Sequence, residues 1–510
     1  MSIEKRVTAG SIVGLVGLAI NIVQSLLLVP LLLSFWTPQS YGLWMGIGAL
    51  VSLLVALDTG HQNYLGNLLN RQWVEDQAAL ARTVRSGTRA AVAIALIELA
   101  AALGLAATGH VANFAGGPGW ASDWSIAGAL IVNMVFWVLN GSIGGIIVRL
   151  YTPAGLYARA QWFGIVYRLA GFLAVMVAVF GGASVLGAMI AQVLAWSACN
   201  IYIFSDLRRR FPEIHPWWQG GDWSLAWRNF RASIMLTING VIEQAGGNGV
   251  VVFVGHALNP IAVALFTTLR TIANLALQGT SIMLNPLTPD FVRYHIGGEG
   301  EKLTALFRTS WIVGTTFVSA GLVLGVLVLE PLYDIWTRGA LPLDRWLFAF
   351  LGAAVAVRQW AAPFQSYLSS LNRLRSQSSM AAARAIGSLG LATLLLPHMG
   401  LSAAGLGALV AEAAAAWIAL SAVRRELNEI VTPFPTKSAI LSLTQIGIAF
   451  VAWLLGASGT GGRIVWMLAA LLSILGLACI QWSSLPVPLS DRLAAMLGRS
   501  RALAANGPRH

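Results

Sequence analysis

The chain has 510 residues, 57% of them hydrophobic and 10% charged, with a mean hydropathy of +0.72 and a formal net charge of +12. Soluble domains carry about 25% charged residues, so this composition excludes a soluble globular protein. In so apolar a chain the basic excess belongs to loops facing anionic lipid, and no basic cluster interleaved with aromatics marks a nucleic-acid partner.

Lys5 and Arg6 precede an apolar stretch that runs through Phe35. It is too long for the core of a cleaved leader and is expected to be an uncleaved first membrane helix. A spanning helix needs about 20 apolar residues, because the hydrocarbon core is about 30 Å thick and a helix rises about 1.5 Å per residue. Such runs follow one another over 9–35, 41–66, 88–108, 124–148, 161–180 and 184–205. They resume over 230–256, 260–287, 309–332, 345–368, 377–397 and 402–422, and end with 438–457 and 464–484. The expected fold is an all-α integral membrane protein of about fourteen transmembrane helices.

Between the sixth and seventh runs lies 206–229, with Pro212, Pro216, Trp217, Trp218, Gly220 and Gly221. Its central place makes it the expected cytoplasmic linker between an N-terminal six-helix bundle, 1–205, and a C-terminal one, 230–422. Two additional helices occupy 438–484. Pro486 and Pro488 end the last run, and 485–510 reads as a basic tail, either an amphipathic helix on the inner surface or a disordered segment.

With helix-end residues counted with the adjoining loop, Arg384 among them, all but five of the 32 Lys and Arg fall in alternate segments that share the side of the N-terminus. The exceptions are Arg338, Arg345 and Arg463 on the opposite side, and Arg270 and Arg358 inside runs. Lys and Arg collect in cytoplasmic loops, so both termini are expected in the cytoplasm. The segments 67–87 and 206–229 read as long, charged inner loops, and 109–123 and 333–344 as the longest outer ones. Cys199 and Cys479 sit in apolar runs without a Cys or His at ligand spacing, so no disulfide, metal or cofactor is expected. There is no Ser-His-Asp arrangement and no P-loop, and Gly405-Leu406-Gly407 lies inside a run with no strand before it, where it reads as helix packing.

Ionisable groups inside a bilayer are costly and face a partner, a cavity or a transport path. The candidates are Asp58, Glu98, Glu243, Arg270, Arg358 and Glu412. Arg270 and Arg358 lie too deep for snorkelling. A guanidinium keeps its charge and presents a planar fork to phosphate oxygens, so both are candidate substrate-binding residues; a structural ion pair with Glu243 or Asp58 is the competing reading. Glu243 stands beside Gly246, Gly247 and Gly249, which permit close helix approach or local unwinding. Asp58 reads most simply as a helix-end ion-pair partner. Glu98 and Glu412 stand alone among alanines and leucines, as carboxyls held by hydrogen bonds. The four acids are the candidates for coupling or gating.

The segment LLLVPLLLSFWTPQSYGLWMGIGALVSLLVALDTGHQNYLGNLL, with Tyr41-Gly42-Leu43-Trp44 opening the second run and Asp58-Thr59-Gly60 closing it, resembles the start of polysaccharide flippases, the O-antigen and exopolysaccharide translocases. These belong to the multidrug/oligosaccharidyl-lipid/polysaccharide exporter superfamily; Thr59 stands where the family often has Leu. The resemblance in residues covers about 10–70 and, more weakly, 230–295. It implies two six-helix bundles around a central cavity, two extra C-terminal helices and alternating access. It also implies transport of a polyprenyl-diphosphate-linked oligosaccharide across the bacterial inner membrane, beside membrane lipids and the polysaccharide polymerase and chain-length machinery. A peptidoglycan-precursor flippase and a drug/cation antiporter are alternatives within the superfamily. A membrane glycosyltransferase or polymerase is the alternative of another class, but it needs a large outer loop with convergent catalytic groups, and the outer loops here are short. The chain is therefore expected not to be an enzyme.

Overall fold

The computed structural model describes residues 3–116, 124–284, 287–457 and 463–483. Among these residues the regular structure is helical, with no strand. Twelve helices are long and apolar enough to cross a membrane, and a thirteenth span is obtained when one bent pair is counted as one. The protein is a multi-pass membrane protein. The tail expected over 485–510 lies outside the described residues.

All fourteen predicted runs fall on helices, but three are interrupted. The run 124–148 is α6 (Trp124–Phe136) and α7 (Ser142–Ile147), joined by a π turn over Trp137–Gly141. The run 41–66 is α2 (Pro38–Leu54) followed by α3 (Ala56–Glu75), bent by 52° at Val55. The run 230–256 is α10 (Trp223–Gln244) and α11 (Val250–Ala257), joined by a π turn over Ala245–Gly249. It is not among the twelve, since α10 carries Arg228, Arg231 and Glu243 and α11 is short.

Two expected loops are corrected. The segment 67–87 is helical on both sides of a one-residue corner. α3 runs to Glu75, Asp76 is extended, and α4 (Gln77–Ala107) begins at once, because the Asp76 carboxylate accepts the Ala79 N–H at 2.9 Å and satisfies a free donor of the new helix. The segment 206–229 contains a loop only over 211–222, since α9 (Val185–Arg210) and α10 extend into it from either side. This loop is docked, not slack. Phe211, Ile214 and Trp217 are buried in one core with Leu65, Leu80 and Leu207. Two arginines of α4 hold its backbone: Arg85 donates to the carbonyls of Glu213 (2.8 Å) and Ile214 (3.4 Å), and Arg89 to those of Trp218 (2.9 Å) and Gly221 (2.6 Å).

The chain forms two compact units. One comprises Met1–Thr271, Tyr333–Asp344 and Ala385–Ala404; the other comprises Ile272–Leu332, Arg345–Arg384 and Gly405–His510. In the first unit α10 packs along α3 and α4. Proline chemistry ties in a distant segment as well. Pro30, inside α1 (Ile3–Leu33), has no N–H for the carbonyl of Leu26, and that carbonyl accepts the indole N–H of Trp336 at 2.6 Å. The second unit has an aromatic centre in which Trp311 stacks on Trp360, its indole donating to the Trp360 carbonyl at 2.9 Å, with Phe307, Phe364 and Tyr367 around them.

The basic asymmetry makes a testable statement about sidedness. Ala112 is buried in α5 (Val111–Gly116), but His110 and Gln219 are exposed. With Cys199 and Cys479 replaced by Ser, a cysteine at 110 is expected to react with an impermeant maleimide added to intact cells, and one at 219 only after permeabilisation. The opposite pattern would reject cytoplasmic termini.

Candidate functional site

The first cluster of buried charge sits where α2 breaks into α3. Asp58 lies in the first turn of α3 and is fully buried, and Glu98 of α4 is 1% exposed. The backbone N–H of Asp58 donates to the Glu98 carboxylate at 3.1 Å. The start of α3 has free N–H groups, and here an acid from a different helix supplies an acceptor. The other acid is held locally: Gln62 donates to Asp58 Oδ2 at 2.8 Å. Gln62 fits because Gly145 has no side chain, where a Cβ would stand 1.8 Å from its Oε1. Nearby, Arg149 donates to the Gly145 carbonyl (2.9 Å) and to Asn63 Oδ1 (2.8 Å), and His61 Nδ1 is paired with the Ser233 hydroxyl at 3.0 Å. Asp58 makes no salt bridge among the described residues, although Arg149 acts on it electrostatically; its hydrogen-bond contacts include an amide side chain and, through its backbone, a glutamate. Glu98 is indeed held by a hydrogen bond, and the donor is a backbone group.

The glycine-rich stretch after Glu243 unwinds as the π turn over Ala245–Gly249. A π turn displaces carbonyls from the regular helical ladder. Two are taken up by side chains: Arg270 of α12 (Pro260–Leu284) donates to the Gly247 carbonyl at 2.8 Å, and the Ser388 hydroxyl to that of Gly246 at 3.2 Å. The Arg270 guanidinium also lies 5.3 Å over the Phe266 ring. Glu243 is exposed and forms no ion pair with Arg270. The pairing weighed for these two residues is thus replaced by a backbone contact.

The second cluster lies in the second unit. Arg358 of α15 (Arg345–Ser370) is 50% exposed at its side chain and stands 3.7 Å from Glu412 of α17 (Ser402–Glu429). The same carboxylate accepts from Arg384 Nε at 2.9 Å, with both side chains largely buried. Glu412 is therefore not solitary, and the acid beside Arg358 is neither Glu243 nor Asp58. Arg384 was missed as a site residue, having been counted with the basic end of its run; its position well inside α16 (Leu374–Met399) was the available signal.

Arg358 lines a cavity of about 190 Å³ together with Thr280, Ser281, Ser310, Gln359 and Gln365. Gln359 is 3% exposed; its Oε1 accepts from Thr280 at 2.7 Å, while neither its Nε2 nor that of Gln365 has an acceptor among the described residues. Pro363, in the same wall, has no N–H for the carbonyl of Gln359 four residues earlier. Among the described residues the lining thus combines one guanidinium, amide donors and hydroxyls, with no acid. Such a set binds anions and polyols.

No family model matches the chain, and no curated protein is significantly similar to it in sequence. Solved structures are similar in fold. A multidrug resistance MATE family transporter of the MOP superfamily, inward-facing, aligns with a TM-score of 0.65 at 13% identity, over 80% of this chain and 95% of its own. The fold is that of the MOP-superfamily transporters. The lipid II flippase MurJ, inward closed, aligns over 93% of this chain and 98% of its own, with a TM-score of 0.61 at 12% identity. A MOP superfamily transporter from Pyrococcus furiosus, described as having a binding pocket of reversed polarity, gives 0.54 at 14% identity over 84% and 97%. Within the MOP fold of this chain, the structure brings Asp58 to Glu98, and Glu412 to Arg358 and Arg384. It leaves Glu243 apart from both groups and turns Arg270 onto backbone.

Proposed function

We propose that the protein is a flippase that moves a polyprenyl-diphosphate-linked oligosaccharide across the bacterial cytoplasmic membrane by alternating access, for the synthesis of a surface polysaccharide. The observation that carries this reading is the half-exposed guanidinium of Arg358 on a polar, acid-free cavity. A diphosphate needs a permanent cation with directed N–H groups, and sugar hydroxyls need amides and hydroxyls; the cavity lining supplies both. A drug/cation antiporter would need acids there. Two further observations support the reading: the resemblance of residues 10–70 to polysaccharide flippases, and the MATE structures of this fold in inward-facing and outward-facing conformations. We read Arg358 as the diphosphate contact and Arg270 as a second one in another transport state. The two six-helix bundles meeting at 206–229, and cooperation with a polymerase and chain-length machinery, belong to the same proposal. A peptidoglycan-precursor flippase is the second reading, favoured by the alignment with MurJ over nearly the whole chain.

Deleting the gene separates the two. Accumulation of lipid-linked oligosaccharide on the cytoplasmic face, with unchanged lipid II, is the expected result. Accumulation of lipid II instead would select the second reading.

A further inference from the structure

Glu412 is shared between two cations that are not equivalent. Its Oε2 is hydrogen-bonded to Arg384 Nε at 2.9 Å, and Arg384 is only 18% exposed at its side chain. Its Oε1 stands 3.7 Å from Arg358 Nη1, beyond hydrogen-bond distance, and Arg358 is 50% exposed. The inner contact is a charge-assisted hydrogen bond; the outer one is electrostatic only. The three groups together carry one positive charge in excess. That charge sits at the edge of a cavity whose amide nitrogens, Gln359 Nε2 and Gln365 Nε2, have no acceptor among the described residues.

We propose that Glu412 is a resident counter-anion: it partly neutralises Arg358 while no anion is bound, and it is left to Arg384 alone when a diphosphate takes Arg358. The reading of Arg358 as a diphosphate contact underlies this inference. An arginine without a counter-charge inside a membrane span is costly, and a loosely held internal carboxylate lowers that cost without closing the site. The inner arginine makes the exchange reversible, because Glu412 does not become an unpaired buried acid once displaced. The arrangement also selects. A monoanion gains little by displacing one carboxylate, whereas a diphosphate brings more charge and more acceptor oxygens to Arg358 and the cavity amides.

The test is equilibrium binding to purified full-length protein in lipid nanodiscs, with inorganic pyrophosphate and farnesyl diphosphate as probes and the thermal transition measured on each sample. An ion pair of this exposure is worth about 0.2–1 kcal/mol, so Glu412→Gln is expected to tighten binding by up to about fivefold. Arg358→Gln should weaken binding, and Arg358→Gln with Glu412→Gln should show no gain over Arg358→Gln. If Arg384 without its partner impairs folding, the comparison moves to Arg384→Gln against Arg384→Gln with Glu412→Gln, in which the second variant should again bind more tightly. Tightening with farnesyl diphosphate alone would assign the anion to a lipid head group; tightening with both probes would show that the diphosphate suffices. Unchanged or weaker binding by folded Glu412→Gln, with Arg358→Gln still impaired, would overturn the counter-anion role and leave the Arg358 contact standing. Unaltered binding by Arg358→Gln would overturn both.

Discussion

Arg358→Gln is expected to abolish polysaccharide export in a strain lacking the native gene, while the variant accumulates in the membrane at wild-type levels. The two halves of this expectation have separate causes. A hydrogen bond to a charged group contributes about 1.5–3 kcal/mol, so losing a two-pronged contact removes roughly 3–6 kcal/mol, a hundredfold or more in the bound state. The structural loss is small, because Glu412 keeps its 2.9 Å bond to Arg384. Arg358→Lys keeps the charge without the planar fork and should restore export only in part. The readout is surface polysaccharide against immunoblotted membrane protein. Arg270→Gln should differ: it frees the Gly247 carbonyl beside the π turn and should lower abundance. Adding Glu243→Gln should not restore it, since no ion pair joins the two residues. Normal export by Arg358→Gln would remove the diphosphate reading of this site.

A large loss of folding is expected at Gly60. A Cβ there would stand 2.3 Å from the Thr237 Cα and 2.6 Å from its N, so the obstacle is the backbone of α10 and not a side chain that can turn aside. Overpacking in a core that can adjust costs about 1–3 kcal/mol. Two helix backbones that cannot separate without opening the Asp58–Glu98 region should exceed that range. Gly60→Ala is expected to reduce folded protein, measured by detergent size-exclusion of a fluorescent fusion, to a small fraction of wild type. Gly14→Ala and Gly48→Ala, where a Cβ meets nothing within 4 Å, should leave the profile unchanged. A normal profile for Gly60→Ala would mean that α3 and α10 are not in contact as described.

These glycines show what was legible in the sequence. The segment that resembles flippases contains Gly42 and Gly60, and both are contact points: a Cβ on Gly42 would stand 1.8 Å from the Pro260 carbonyl oxygen. Hydropathy located thirteen runs that are long and apolar enough to cross, counting the bent 41–66 as one, because the length of a bilayer-crossing helix is set by membrane thickness. Corners were harder to see. Asp76 and Val55 each interrupt a helix at a single residue, and neither is Gly or Pro. Partners were harder still. Glu98 binds a backbone N–H, which no search for oppositely charged side chains would find. Glu412 meets Arg384 across two helices, and a basic residue near the end of a polar stretch is easily assigned to the loop.

The π turn at 245–249 sets the rotational phase of the helix beyond it. One residue more than the regular count advances a helix by about 100°, since a full turn takes about 3.6 residues. The bulge therefore sets the phase in which Val250, Val251, Val252 and Val254 of α11 are buried. Arg270 and Ser388 clasp it at Gly247 and Gly246 and so act as index marks, fixing where along the helix the extra residue resides. Slipping the bulge past those marks would turn the residues between its old and new positions about the axis with no loop needing to stretch.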